Sequence, residues 1–128
     1  MFKPAHELVQ AAKQSVREFS PAEIRQRLAN PGPLLIDVRE PEEFQAGFIA
    51  GALNIPRGML EFKISNDPSL QEVARPVIVY CKTSGRAALS VVALQSMGFT
   101  DVVSLAGGFD AWAAEGQPVV KPQAISFE

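Results

Sequence analysis

Three short runs, almost free of polar residues, constrain this chain more than any other feature. Leu34-Leu35-Ile36-Asp37-Val38, Val77-Ile78-Val79-Tyr80 and Val102-Val103-Ser104-Leu105 are continuous and rich in branched side chains, the composition of strands buried on both faces. Such strands need helices above and below them. The intervening sequence supplies these. Ser20-Pro21-Ala22-Glu23 is a capping box with proline at the first helical position, and Ile24 and Leu28 follow as a one-sided stripe, so a helix runs from Pro21 to about Asn30. Ala87 to Met97 is apolar nearly all round and meets Gly98, a left-handed cap, which predicts a largely buried helix. Phe109 to Glu115 makes a last short helix, closed by Gly116 and Pro118. Strands alternating with helices imply right-handed crossovers, a parallel sheet and a three-layer α/β domain.

The remaining segments are weaker. Leu8, Val9, Ala12 and Val16 share one helical face, opposite Gln10, Lys13, Gln14 and Arg17, and a very short edge strand fits only around Val16 to Phe19. Arg57 to Arg75, with Gly58, Asp67 and Pro68, reads as loop carrying one or two short helices around Met59, Leu60 and Phe62. At 128 residues and 47% apolar content the chain suffices for one core, not two. A net charge of -2 without long runs of either sign argues against nucleic acid, and no stretch is long and apolar enough to span a bilayer. The N-terminus has no secretory pattern, so the expected setting is soluble and cytoplasmic.

The single cysteine excludes an internal disulfide and a thiolate-rich metal site, which leaves Cys81 as either packing or a reactive group. Its position favours reaction. Ligands of open parallel sheets bind beyond the carboxyl ends of the strands, and Cys81 is the first residue after the second run. Lys82, Thr83, Ser84, Gly85 and Arg86 then separate it from the Ala87 helix. A loop of this kind turns backbone N–H groups inward, and the helix N-terminus adds about half a positive charge. Thiols in such places ionise below their usual value of about 8.5, so the nucleophile needs no general base. The one histidine, His6, is far away in sequence, which argues against Cys-His catalysis. Lys82 and Arg86 are either solvated charges or anion binders, Thr83 and Ser84 either hydrogen-bond donors or helix caps, and Gly85 serves backbone geometry.

Several separated motifs then resemble the rhodanese family in order and spacing: Asp37-Val38-Arg39-Glu40 with Glu43-Phe44, Gly47 to Ala52 with Asn54-Ile55-Pro56, Tyr80-Cys81 to Arg86-Ala87, and Gly107-Gly108 with Trp112. The match runs from about Ser20 to Val119 and divides the chain into a helical extension (1–19), a rhodanese-like domain (20–120) and a short tail (121–128). The resemblance implies a mostly parallel five-stranded sheet and a sulfurtransferase that needs no cofactor or metal. Cys81 would accept sulfane sulfur from a donor such as thiosulfate, the amides of Lys82 to Arg86 would cradle the terminal sulfur, and Lys82 and Arg86 would bind the anion. A thiol, cyanide or a thioredoxin-like protein would be the acceptor. Asp37 and Arg39 are expected to be structural, as an ion pair or cap. Phe48 and Ala50 stand where family members commonly have His and Pro, which implies altered packing beneath the site.

Two other readings compete. Phosphatases that resemble this loop hold one more residue between cysteine and arginine and place histidine before the cysteine; here four residues intervene and Tyr80 precedes. Non-catalytic regulatory modules share the fold but often lack the cysteine that this chain keeps.

Overall fold

The computed structural model describes residues 1–122; residues 123–128, most of the expected tail, lie outside the described residues. Five strands form one sheet in the order β1-β5-β4-β2-β3, all paired in parallel. They are β1 (Arg17–Phe19), β2 (Leu34–Asp37), β3 (Leu53–Asn54), β4 (Val77–Tyr80) and β5 (Val102–Leu105). The helices are α1 (Ala5–Lys13), α2 (Pro21–Leu28), α3 (Pro41–Gln45), α4 (Leu60–Ser65), α5 (Gly85–Ser96) and α6 (Gly108–Ala114).

The two-residue period of a strand divides the core in two. Leu35, Ile78, Tyr80, Val103 and Leu105 pack on one face with Ile24 of α2 and Trp112 of α6. Ile36, Val77, Val79 and Val102 pack on the other with Leu60 and Ile64 of α4 and Ala87, Val91 and Leu94 of α5. Leu94 and Ile78 are 0% and 1% exposed, and burial of this completeness contributes about 1.5–3 kcal/mol per side chain.

The Ser20 capping box forms as expected: the Ser20 hydroxyl accepts from the Glu23 amide at 3.2 Å, and the Glu23 carboxylate accepts from the Ser20 amide at 3.0 Å. Three expectations are corrected. α1 ends at Lys13, so Val16 leaves the helical face and packs on the core beside β1. α5 begins at Gly85 rather than Ala87, which puts Arg86 in its first turn. The last helix spans Gly108–Ala114, because Gly107 caps it with φ of +73°. Arg57 to Arg75 folds as two 3₁₀ turns, Arg57–Met59 and Pro68–Leu70, around α4. α1 lies on α5: a Cβ built on Gly85 would sit 3.5 Å from Val9.

Candidate active site

β2, β4 and β5 all end on one edge of the sheet, and the turns beyond them build the site. Cys81 continues the alternation of Val77 and Val79, so its side chain points to the α5 face, whereas Tyr80 points to the α2 and α6 face. The Cys81 sulfur accepts a hydrogen bond from the Ala87 amide at 3.3 Å, inside the first turn of α5. Cys81 is only 1% exposed. It is one of the buried residues of the core on the α5 side of the sheet.

The peptide planes of the loop are set from behind by α6. The carbonyls of Cys81 and Lys82 accept from the amides of Phe109 and Asp110 at 2.8 and 3.1 Å. A Cβ on Gly108, whose φ is +62°, would lie 2.5–2.6 Å from the carbonyl oxygens of Cys81, Lys82 and Thr83. Three successive carbonyls thus converge on Gly108. Since C=O and N–H point oppositely across a trans peptide, the following amides face away from α6. The second glycine of the Gly107-Gly108 motif is thereby explained: only a residue without a side chain lets α6 approach so closely.

The predicted anion binders are not free. Lys82 Nζ pairs with Asp110 at 2.8 Å on an exposed surface. Arg86 makes a fork to Glu43, Nη1 to Oε1 at 2.6 Å and Nη2 to Oε2 at 3.0 Å. The hydrogen bonds from Arg86 hold the Glu43 carboxyl down at about 2 against the opposing effect of burial, with the Glu40 amide assisting. Arg86 is in turn raised by its bonds to Glu43 and, more weakly, by the charges of Cys81 and Glu40. Thr83 is exposed and Ser84 occupies the cap position of α5 without a side-chain capping bond, so neither hydroxyl acts as a cap. Gly85 is helical.

On the opposite face of the sheet Asp37 and Arg39 form the expected structural pair. Arg39 Nη2 lies 2.7 Å from Asp37 Oδ2 and also 2.7 Å from the Gly47 carbonyl, and Nε bonds the same carboxylate. Burial pulls the guanidinium down, but the bonds and charge of Asp37 outweigh it and the net shift is upward. The ring of Phe109 lies 4.3 Å beneath the guanidinium carbon. Asn54 closes the assembly by donating to the carbonyls of Asp37 and Arg39 at 3.1 and 2.9 Å. The Tyr80 hydroxyl accepts from the Ile49 amide at 3.1 Å, and burial, then the Asp37 charge, raises its pKa. Phe48 stacks on Phe44 at 4.1 Å while Ala50 is exposed.

The model of the rhodanese-like domain matches residues 20–115. The chain belongs to this family. A rhodanese relative named sulfurtransferase, from Allochromatium vinosum, is 34% identical over 109 residues, covering 84% of this chain and 98% of its own. The solution structure of a polysulfide-sulfur transferase homodimer from Wolinella succinogenes superposes with a TM-score of 0.74 at 36% identity, covering 91% of this chain and 86% of that one. A protein of unknown function from Rhodopseudomonas palustris, described as a possible tyrosine phosphatase, reaches a TM-score of 0.83 at 29% identity, with 94% and 96% covered. Among the described residues, no helix is long and apolar enough to cross a membrane, and no cluster of three or more His, Cys, Asp or Glu could hold a metal ion.

Proposed function

We propose that this rhodanese moves sulfane sulfur from a donor such as thiosulfate to a thiol or cyanide through a persulfide on Cys81. The observation that carries the proposal is the Ala87 amide bonded to Sγ at 3.3 Å, within a loop whose carbonyls are turned toward α6. N–H groups left facing the reaction side stabilise sulfur-centred negative charge. The Cys81 thiolate attacks the outer sulfur of thiosulfate; a new S–S bond forms, and the electron pair of the broken S–S bond leaves with sulfite. The persulfide then gives its terminal sulfur to an acceptor. Lys82 and Arg86 would approach the anion through whichever donors their carboxylate partners leave unused, and Thr83, Ser84 and Gly85 would contribute through their backbone. A reducing compartment such as the cytoplasm would supply acceptor thiols, glutathione or a thioredoxin-like protein.

Division of the transfer into two steps predicts ping-pong kinetics. Thiosulfate treatment should add the mass of one sulfur atom to Cys81, removable by cyanide, and Cys81→Ser should abolish both this mass and thiocyanate production while the circular dichroism stays that of the parent. Turnover retained by Cys81→Ser would end the assignment, and a protein that takes up sulfur from no donor would instead be a binding module. The phosphatase description of the R. palustris protein suggests a second assay, phosphate release from an aryl phosphate. The four residues between Cys81 and Arg86, and the Glu43 fork on that arginine, favour a negative result.

A further inference from the structure

We propose that Glu43 is a specificity-determining residue: by holding Arg86 in a fork, it leaves the cations of the active loop paired and so selects sulfur donors that bring little negative charge to Cys81. The inference rests on the reading of Cys81 as the sulfur carrier and extends it to the class of donor.

The attack on thiosulfate brings a thiolate against a dianion, and the encounter is favourable only where positive charge offsets the repulsion. The loop has two residues able to supply it, and each is compensated by an acid from another element, Arg86 by Glu43 of α3 and Lys82 by Asp110 of α6. Both pairs bridge segments far apart in sequence. Neither is equally open to solvent: the Arg86 and Glu43 side chains are 36% and 30% exposed, the Lys82 and Asp110 side chains 58% and 50%. The tighter pair therefore has the stronger effect, because screening by water already weakens the looser one. The side of the site formed by α3 is acidic beyond Glu43, since Glu40 caps that helix and Glu42 follows in its first turn. Glu43 stays ionised at every working pH, its carboxyl being held at about 2.

A thiol persulfide of low molecular weight avoids this penalty. When the protonated form R–S–SH reacts, the Cys81 thiolate takes the terminal sulfur, the S–S bond breaks, and the electron pair leaves with the thiolate R–S⁻. Only one negative charge is then present at the reacting atoms throughout, so paired cations suffice.

The test compares thiosulfate with glutathione persulfide as donors, by following the initial rate of sulfur loading on Cys81 by mass spectrometry. Glu43→Gln removes the charge while keeping an oxygen for the Glu40 amide. It should lower the thiosulfate concentration for half-maximal loading by about fivefold or more and change loading by glutathione persulfide by less than about twofold. Asp110→Asn, on an exposed helix, should shift thiosulfate in the same direction by about twofold. An unchanged or raised thiosulfate requirement in Glu43→Gln, or an equal gain with both donors, overturns the assignment; if that variant does not fold, an unchanged requirement in Asp110→Asn does so. If the unaltered protein acquires sulfur from neither donor, the transfer reading itself fails and the role of Glu43 falls with it.

Discussion

Two arginine forks lie on the same edge of the sheet and do different work. In the first, Arg39 and Asp37 are 5% and 0% exposed, and Nε and Nη2 of the guanidinium are bonded within the fold, to Asp37 and to the Gly47 carbonyl. In the second, Arg86 and Glu43 make equally short contacts but keep about a third of their surface in water. The chemistry is shared and the burial is not. Two charges sealed from solvent cannot lose a partner without leaving an ion stranded, whereas two charges in contact with water can exchange partners cheaply. The first fork therefore fastens the turn after β2 to the segment after α3, and the second is an adjustable element between α3 and the first turn of α5.

The sharpest way to break this contrast is to discharge one member of each fork. Asp37→Asn should cost about 3–5 kcal/mol in urea unfolding, because it strands the Arg39 guanidinium in the core. Glu43→Gln should cost no more than about 1 kcal/mol in the same measurement, since water replaces the lost carboxylate. A comparable loss at both sites would erase the distinction. Titration refines it. The Glu43 carboxyl is lowered from an ordinary 4.5 to about 2, so its contribution to stability is complete above about 4.5 and disappears as the pH falls through 2. The difference in urea midpoint between the parent and Glu43→Gln should thus be constant above about pH 5 and shrink steadily below it. A third pair completes the series. Arg17 meets Asp101 through one bond at 2.9 Å with side chains 60% and 39% exposed, and Arg17→Ala should change stability by less than about 0.5 kcal/mol.

How far the sequence foretold these features depends on how local each one is. The apolar run Val77 to Tyr80, with Cys81 directly after it, belongs to a single strand, and the Ser20 capping box to four consecutive residues, so both are legible in the sequence. The pairing of Asp37 with Arg39 also lies within two residues, but the expectation of an ion pair or cap there comes from the resemblance and not from spacing. The sequence pattern points to a start of α5 two residues late, because Gly85 reads as loop by propensity although it begins the helix. Glu43 and Arg86 are separated by 43 positions, and Lys82 and Asp110 by 28, so no periodicity could show that the loop cations are already spoken for. The same holds for Gly108, whose reason for being glycine is three carbonyls of another segment.

The strand that closes the sheet carries a practical lesson for anyone trimming this protein. β1 belongs to residues 17–19, just before the stretch that matches the family, and covers β5 by pairing Arg17 with Val103 and Phe19 with Leu105. It is three residues long, and its first two side chains are an exposed arginine and glutamate, a poor template for a foreign strand. Cutting the chain back to residue 20 would uncover the Val102–Leu105 backbone in its place, a branched and uncharged row of vacant donors and acceptors. A short charged margin offers a neighbouring copy little to pair with, and an expression boundary drawn at the family match would discard it.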